Sequence, residues 1–112
     1  MTFTQSLKSN RDFKKVFKLG KSKVNKYLIV YVASNNTDYN RLGISVSKKV
    51  GNSVVRHYIK RCVKEAYRLH ENMFNSGLDI VVIARQGAKD IKYAEIESAL
   101  LHLMRIQKVL NK

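Results

Sequence analysis

Arg41-Leu-Gly-Ile-Ser-Val-Ser-Lys-Lys-Val-Gly-Asn-Ser-Val-Val-Arg56, continued by Ile59-Lys60-Arg61, is the stretch on which the fold turns. Its first nine residues alternate as a strand over 41–49 requires: Leu42, Ile44 and Val46 form an apolar face, and Arg41, Gly43, Ser45, Ser47 and Lys49 the other. The second face is small and polar in its middle and basic at both ends, which leaves room for a chain to lie across it. Gly51-Asn52-Ser53 breaks the alternation, and Asn52 or Ser53 offers the side-chain oxygen that caps a helix. Apolar residues then recur at steps of four and three, at Val55, Ile59, Cys62, Ala66, Leu69 and Met73. At about 100° per residue they stay within a stripe of roughly 80°, which predicts a long helix over 53–74. Arg56, His57, Lys60, Arg61, Lys64 and Arg68 lie away from that stripe, so one face is core and the other a ribbon of positive charge.

Upstream, residues 24–34 read as a strand with Tyr27, Ile29, Tyr31 and Ala33 on one face and Leu28, Val30 and Val32 on the other. Both faces are apolar, so this strand is central or its second face binds something. Asn35 to Asn40 is a polar turn. Residues 10–19 form a short helix with Phe13, Val16 and Phe17 in a stripe among lysines, capped by Ser9 or Asn10 and ended by Gly20. Downstream, a turn at 76–79 leads into a strand over 80–84 and then a packing helix over about 90–110, with Asp90 as its cap. The order is α-β-β-α-β-α, with a β-α-β unit across the long helix. No proline, repeat or linker divides the chain, so residues 1–112 form one domain of α+β class, a small sheet with helices mainly on one face.

Charge dominates the composition. Among 112 residues Lys and Arg number 22 and Asp and Glu 8, a net charge of +14. Residues 1–68 carry 16 of the bases against 3 acids, while residues 69–112 carry 6 against 5. So one-sided a field favours a polyanionic partner: nucleic acid first, an anionic membrane surface second. Apolar residues make up 45% of the chain, as in ordinary globular domains. The longest apolar run, Tyr27 to Ala33, is too short to span a membrane, and the first residues show no hydrophobic signal region. The single cysteine, Cys62, allows no intrachain disulfide, which fits a reducing, cytoplasmic location.

The residues that would form a protein active site are not patterned as one. Cys62 lies in the apolar stripe and His57 on the basic arc, so they point apart. His57, His70 and His102 lack zinc-ligand spacing, and Glu95 and Glu97 diverge by about 160° on a helix. What remains is a binding surface. Basic side chains grip phosphates and exposed aromatics stack on unpaired bases. Phe13, Phe17, Tyr27 and Tyr31 are candidates for stacking or for core, and Tyr67 and Tyr93 for core or rim.

The central stretch resembles the signature of the bacterial ribonuclease P protein component. Asp12-Phe13-Lys-Lys-Val-Phe17-Lys-Leu-Gly20 looks like that family's first helix, and Asp79-Ile-Val-Val-Ile-Ala-Arg85 like its last strand and the turn after it. The resemblance covers about residues 7–108. It implies an α-β-β-β-α-β-α fold shared with the second domain of a small-subunit ribosomal protein, with a left-handed β-α-β crossover and an extra short strand near Lys21–Val24. It implies a partner, the catalytic RNA subunit, whose Mg²⁺ ions do the chemistry of removing the 5′ leader from precursor tRNA. It further implies that the protein holds the single-stranded leader and lowers the Mg²⁺ requirement, and no metal site of its own is expected. By position Phe13, Phe17 and Tyr31 match the family's cleft aromatics, Lys48 and Lys49 its basic strand end, and Arg56, Lys60 and Arg61 its basic helix. With Lys14, Ser45 and Ser47 added from the faces read above, the expected leader cleft is Phe13, Lys14, Phe17, Tyr31, Ser45 and Ser47. The surface for the RNA subunit takes Lys48, Lys49, Asn52, Arg56, His57, Lys60, Arg61, Lys64 and Arg68. One departure stands out: the family's usual Arg-Asn-Arg is Arg56-His57-Tyr58 here. Tyr58 cannot make the bidentate phosphate contacts of arginine but can stack on a base, and His57 can gain charge near a phosphate.

Three other readings compete. A ribosomal-type RNA binder without a processing role shares the composition but not the central signature. A membrane-surface protein would place Trp or Phe on the helix's apolar stripe, which here is aliphatic. A protein-only nuclease would need a cluster of carboxylates.

Overall fold

The computed structural model describes residues 4–110. Its elements run β1 (Thr4–Ser6), α1 (Asn10–Leu19), β2 (Lys21–Val24), β3 (Leu28–Ser34), β4 (Asn40–Ser45), α2 (Ser53–His70), β5 (Leu78–Ala84) and α3 (Tyr93–Ile106), with 3₁₀ turns at Glu71–Met73 and Gln86–Ala88. The five strands lie in the order β1-β4-β5-β3-β2. β4 and β5 are parallel neighbours joined through α2, which is the β-α-β unit read from the sequence. β3 pairs antiparallel with β5 on one side and β2 on the other, as expected of a strand with two apolar faces.

Strand periodicity sorts the residues onto two faces. Leu28, Val30, Val32, Leu42, Ile80 and Val82 are buried on one side beneath α2 and α3, together with Ile59, Val63, Ala66, Leu100, Leu103 and Met104. On the other side α1 seats Val16 on Leu7 and Val81, with Phe13, Tyr31, Ala33 and Ile83 around them. Two helices therefore cover one face completely, and the ten-residue α1 covers the other only in part.

The α+β expectation holds, with local differences. The strand near Lys21–Val24 exists, and all four of its residues are exposed. β1 is an addition, a three-residue polar segment lying parallel to the start of β4. β4 ends at Ser45 rather than at 49, because Val50 N–H donates to Ser47 O (3.1 Å) and closes a turn. β5 starts two residues earlier than the strand read over 80–84. α2 ends at His70, and its last predicted turn tightens into the 3₁₀ segment. α3 begins at Tyr93 rather than at Asp90, whose φ of +68° puts it in a left-handed turn and not in a cap. Ser9 caps α1 by accepting from Asp12 N–H, and Asn52 caps α2 by accepting from Val55 N–H (3.0 Å).

α2 is also rolled relative to its predicted stripe. Val63 and Tyr67 are fully buried, whereas Leu69 is 54% exposed. Tyr67 accounts for the roll. Its ring packs on Phe74 (centroids 4.9 Å apart), and its hydroxyl is bonded to Thr4 Oγ1 (2.9 Å) and accepts from Asn40 Nδ2 (3.2 Å). A buried tyrosine needs such partners for its hydroxyl, and these hold α2 to β1 and β4.

Candidate nucleic-acid interface

The face of the sheet that α1 leaves open carries a ladder of aromatics. Phe13 lies over Gly43 so closely that a Cβ there would stand 2.5 Å from Phe13 Cζ. The space that the small residue opens is therefore filled by a phenyl ring and not left for a ligand, which corrects the reading of Gly43 as open floor. Phe17 packs at 6.3 Å from Phe13 and edge-on to Tyr31, with centroids 5.0 Å apart and planes at 68°. Phe17 remains 40% exposed and Tyr31 and Phe13 are half-buried, so Phe17 offers the most ring surface of the three. Lys14 stands exposed on the same helix.

Beyond the aromatics the floor continues through Ile83 and Ser45, which are cross-strand partners, and Ile29, the next residue after Tyr31 on that face of β3. It reaches a groove of about 470 Å³ at the end of the sheet where β3 begins and β4 and β5 stop, lined by Lys26, Ile29, Ser47, Lys49, Val50, Ala84 and Arg85 to Gly87. Lys26 and Arg85 are basic residues of this track that sequence reading missed. Arg85 Nη1 donates to Asn25 O (2.7 Å), which pins it at the rim. Nothing in the local pattern of either residue marks it, since each stands alone in a turn.

The ribbon on α2 faces a different recess. His57, Lys60, Arg61 and Lys64 line a cavity of about 260 Å³ with Ser6, Leu7, Leu42, Gly43 and Ile44. It forms because β1 pairs with β4 only as far as Leu42, and Leu7 N–H to Leu42 O (2.9 Å) closes the ladder. Gly43 lies between the two surfaces, with Phe13 over it on one side and the basic recess on the other.

The remaining candidates differ in how available they are. Lys48 and Lys49 are exposed in the turn after β4. Asn52 commits its side-chain oxygen to the helix cap. Arg56 is half-buried, and its Nε has no hydrogen-bond partner among the described residues. Arg68 donates from Nε and Nη2 to Glu65 (3.0 and 2.5 Å), so its charge is partly neutralised within the helix. Tyr58 lies about 120° around α2 from Lys64 and outside the ribbon. It lines a notch with Arg61, Cys62, Glu65 and Tyr93 instead, and the neighbouring Cys62 thiol pushes its hydroxyl's pKa up. Tyr58 is thus exposed beside Arg61, at the edge of the ribbon rather than in its recess.

Most of the carboxylates are engaged elsewhere. Arg41 donates to both oxygens of Asp79 (2.8 and 2.6 Å) and to Asp12 Oδ2 (3.3 Å). Glu97 is bonded to His70 Nε2 (3.0 Å) and accepts from Tyr93, and burial, with the bond to Glu97, pushes the Tyr93 hydroxyl's pKa up to about 12. Glu95 accepts from Tyr27 and from Lys92 N–H. Among the described residues no group of three or more His, Cys, Asp or Glu side chains is placed to hold a metal ion. Among the described residues no helix is long and apolar enough to cross a membrane.

Comparison with known proteins gives a consistent result. A family model described as Ribonuclease P matches residues 1–108. The ribonuclease P protein component of Lachnoclostridium phytofermentans is 56% identical over 108 residues, covering 96% of this chain and 93% of that one. Among solved structures, the RNase P protein of Staphylococcus aureus superposes with a TM-score of 0.88 at 44% identity, covering 95% and 97% of the two chains. That of Thermotoga maritima superposes at 0.84 with 36% identity, covering 91% and 96%.

Proposed function

The chain belongs to the ribonuclease P protein component family, the protein subunits of the ribonuclease P ribonucleoprotein, and on that premise we propose a division of labour between its two surfaces. The open sheet face holds the single-stranded 5′ leader of precursor tRNA, and the α2 ribbon docks on the catalytic RNA subunit in the bacterial cytoplasm. The RNA subunit and its Mg²⁺ cleave the leader from the tRNA. The chain's own residues bind and orient, which suits a protein whose Asp12, Glu65, Asp79 and Glu97 are held by cationic side chains or histidine.

The observation that carries the proposal is the Phe17–Tyr31 pair, edge-on and open to solvent at the head of a track that ends among Lys26, Lys49 and Arg85. Aromatic faces at one end and cations at the other are what single-stranded RNA requires, and neither feature needs a particular base sequence.

Phe17→Ala is expected to weaken binding of leader-bearing precursor by about 1–3 kcal/mol, the worth of one stacked base, while mature tRNA binds as before. Titration of both RNAs against the reconstituted holoenzyme reads the difference. Equal losses on the two RNAs would show Phe17 acting as core and would remove the leader from the sheet face.

A further inference from the structure

We infer that Asp12, Arg41 and Asp79 form a positioning brace that sets α1 on the sheet and so sets the geometry of the aromatic track; the inference rests on the leader-binding reading of that track. Arg41 and Asp79 are cross-strand partners on β4 and β5, on the face that α1 covers. The guanidinium engages both oxygens of Asp79 through Nε and Nη2 and uses its remaining terminal nitrogen, Nη1, to reach Asp12 on the first turn of α1. Asn35 Nδ2 donates to Asp79 Oδ1 (3.0 Å) from the other side, so the carboxylate cannot swing away. Asp12 N–H is itself capped by Ser9 Oγ (3.1 Å), which fixes the first turn at the point where the brace attaches.

Among the described residues the Arg41–Asp12 contact is the one side-chain hydrogen bond between α1 and the sheet. The rest of the seat is apolar: Val16 on Leu7 and Val81, and Phe13 over Gly43. Apolar contact is non-directional and lets a short helix slide or roll. A forked ion pair is directional and selects one seat. Asp12 immediately precedes Phe13, and Phe17 follows one turn later, so a roll of α1 moves Phe17 off the edge of Tyr31. The brace therefore acts on the leader through Phe17, without touching RNA. Its residues are positioning residues for the track.

Asp12→Asn removes one charge from a part-exposed pair and leaves the buried Arg41–Asp79 fork intact, so the chain still folds. With the holoenzyme, KM for leader-bearing precursor is expected to rise roughly 2–5-fold, the factor to which a part-exposed ion pair converts. Single-turnover cleavage at saturation and the KM for a substrate with a one-nucleotide leader are expected to stay unchanged. Asp12→Glu, which keeps the charge, recovers most of the loss. A thermal melt of each variant keeps general destabilisation apart from loss of position. Asp12→Asn losing equally on both substrates, or on neither while Phe17→Ala loses on the leader-bearing one alone, would overturn the brace and leave the track standing. If Phe17→Ala also fails to separate the two substrates, the leader reading itself falls and the brace with it.

Discussion

Replacing Lys60, Arg61 and Lys64 together by alanine is expected to lower affinity for the RNA subunit by about 2–4 kcal/mol, roughly 30- to 1,000-fold, given what charge-assisted phosphate contacts contribute. The three side chains are exposed and line one recess with His57, and the buried positions beside them, Ile59, Cys62 and Val63, are untouched. Alanine is also a better helix former than the residues it replaces, so α2 persists. The stronger part of the prediction is the salt dependence. Each phosphate neutralised contributes about 0.7–0.9 to the slope of log K against log salt, so the triple variant should flatten that slope by about 2–3. Filter binding from low to moderate salt measures both quantities. Unchanged slope with reduced affinity would mean that these residues hold the helix and not the RNA.

Arg41→Met is expected to cost about 3–5 kcal/mol of folding stability, the usual penalty for stripping a buried carboxylate of its cation. Asp79 is only 4% exposed and would keep Asn35 as its remaining side-chain donor. The pH dependence gives the sign. Burial alone would raise the Asp79 pKa, but the hydrogen bonds from Arg41 and Asn35 more than offset it and hold the carboxyl below its ordinary value. Its contribution is therefore present above the unfolded-state pKa of about 3.9 and is lost as pH falls through the depressed folded value. In Arg41→Met burial prevails, the folded pKa rises above the unfolded one, and protonation relieves the penalty. The stability gap between the two proteins should thus be widest near neutral pH and narrow as pH drops toward about 4. Urea melts across that range test it, and a gap independent of pH would show that Arg41 contributes packing rather than charge.

Much of the fold was legible where a pattern repeats. The two faces of β3 separated as alternation requires, with Leu28, Val30 and Val32 buried and Ile29, Tyr31 and Ala33 partly open. The short helix was marked by its Ser9 cap and its Phe13-Val16-Phe17 stripe. β1 was not legible, because Thr4-Gln5-Ser6 has no apolar residue to alternate and is defined only by its partner on β4. Periodicity places Leu69 in the core because it gives a helix's apolar side only to within tens of degrees; the Tyr67 hydroxyl, held by Thr4 and Asn40, decides the rotation.

The candidate site divides the same way. The α2 ribbon follows from helical arithmetic, and the structure brings His57, Lys60, Arg61 and Lys64 together in one recess. The aromatic candidates Phe13, Phe17 and Tyr31 also assemble, although core and surface roles were open for each of them from sequence alone. Arg41 shows what one-dimensional reading misses. On its strand it looks like the basic end of a polar face, and only the fold reveals Asp79 and Asp12 around it, residues 38 and 29 positions away. Lys26 and Arg85 were missed for the converse reason: two isolated turns become neighbours where the sheet ends.

The most direct test of the account is reconstitution at low Mg²⁺. The protein is combined with a bacterial ribonuclease P RNA and a precursor tRNA, and release of the 5′ leader is followed with and without protein. Cleavage at the mature 5′ end that depends on the protein is the predicted result. RNA binding without any stimulation of cleavage would contradict it, and would leave the two surfaces as those of an RNA binder with no part in processing.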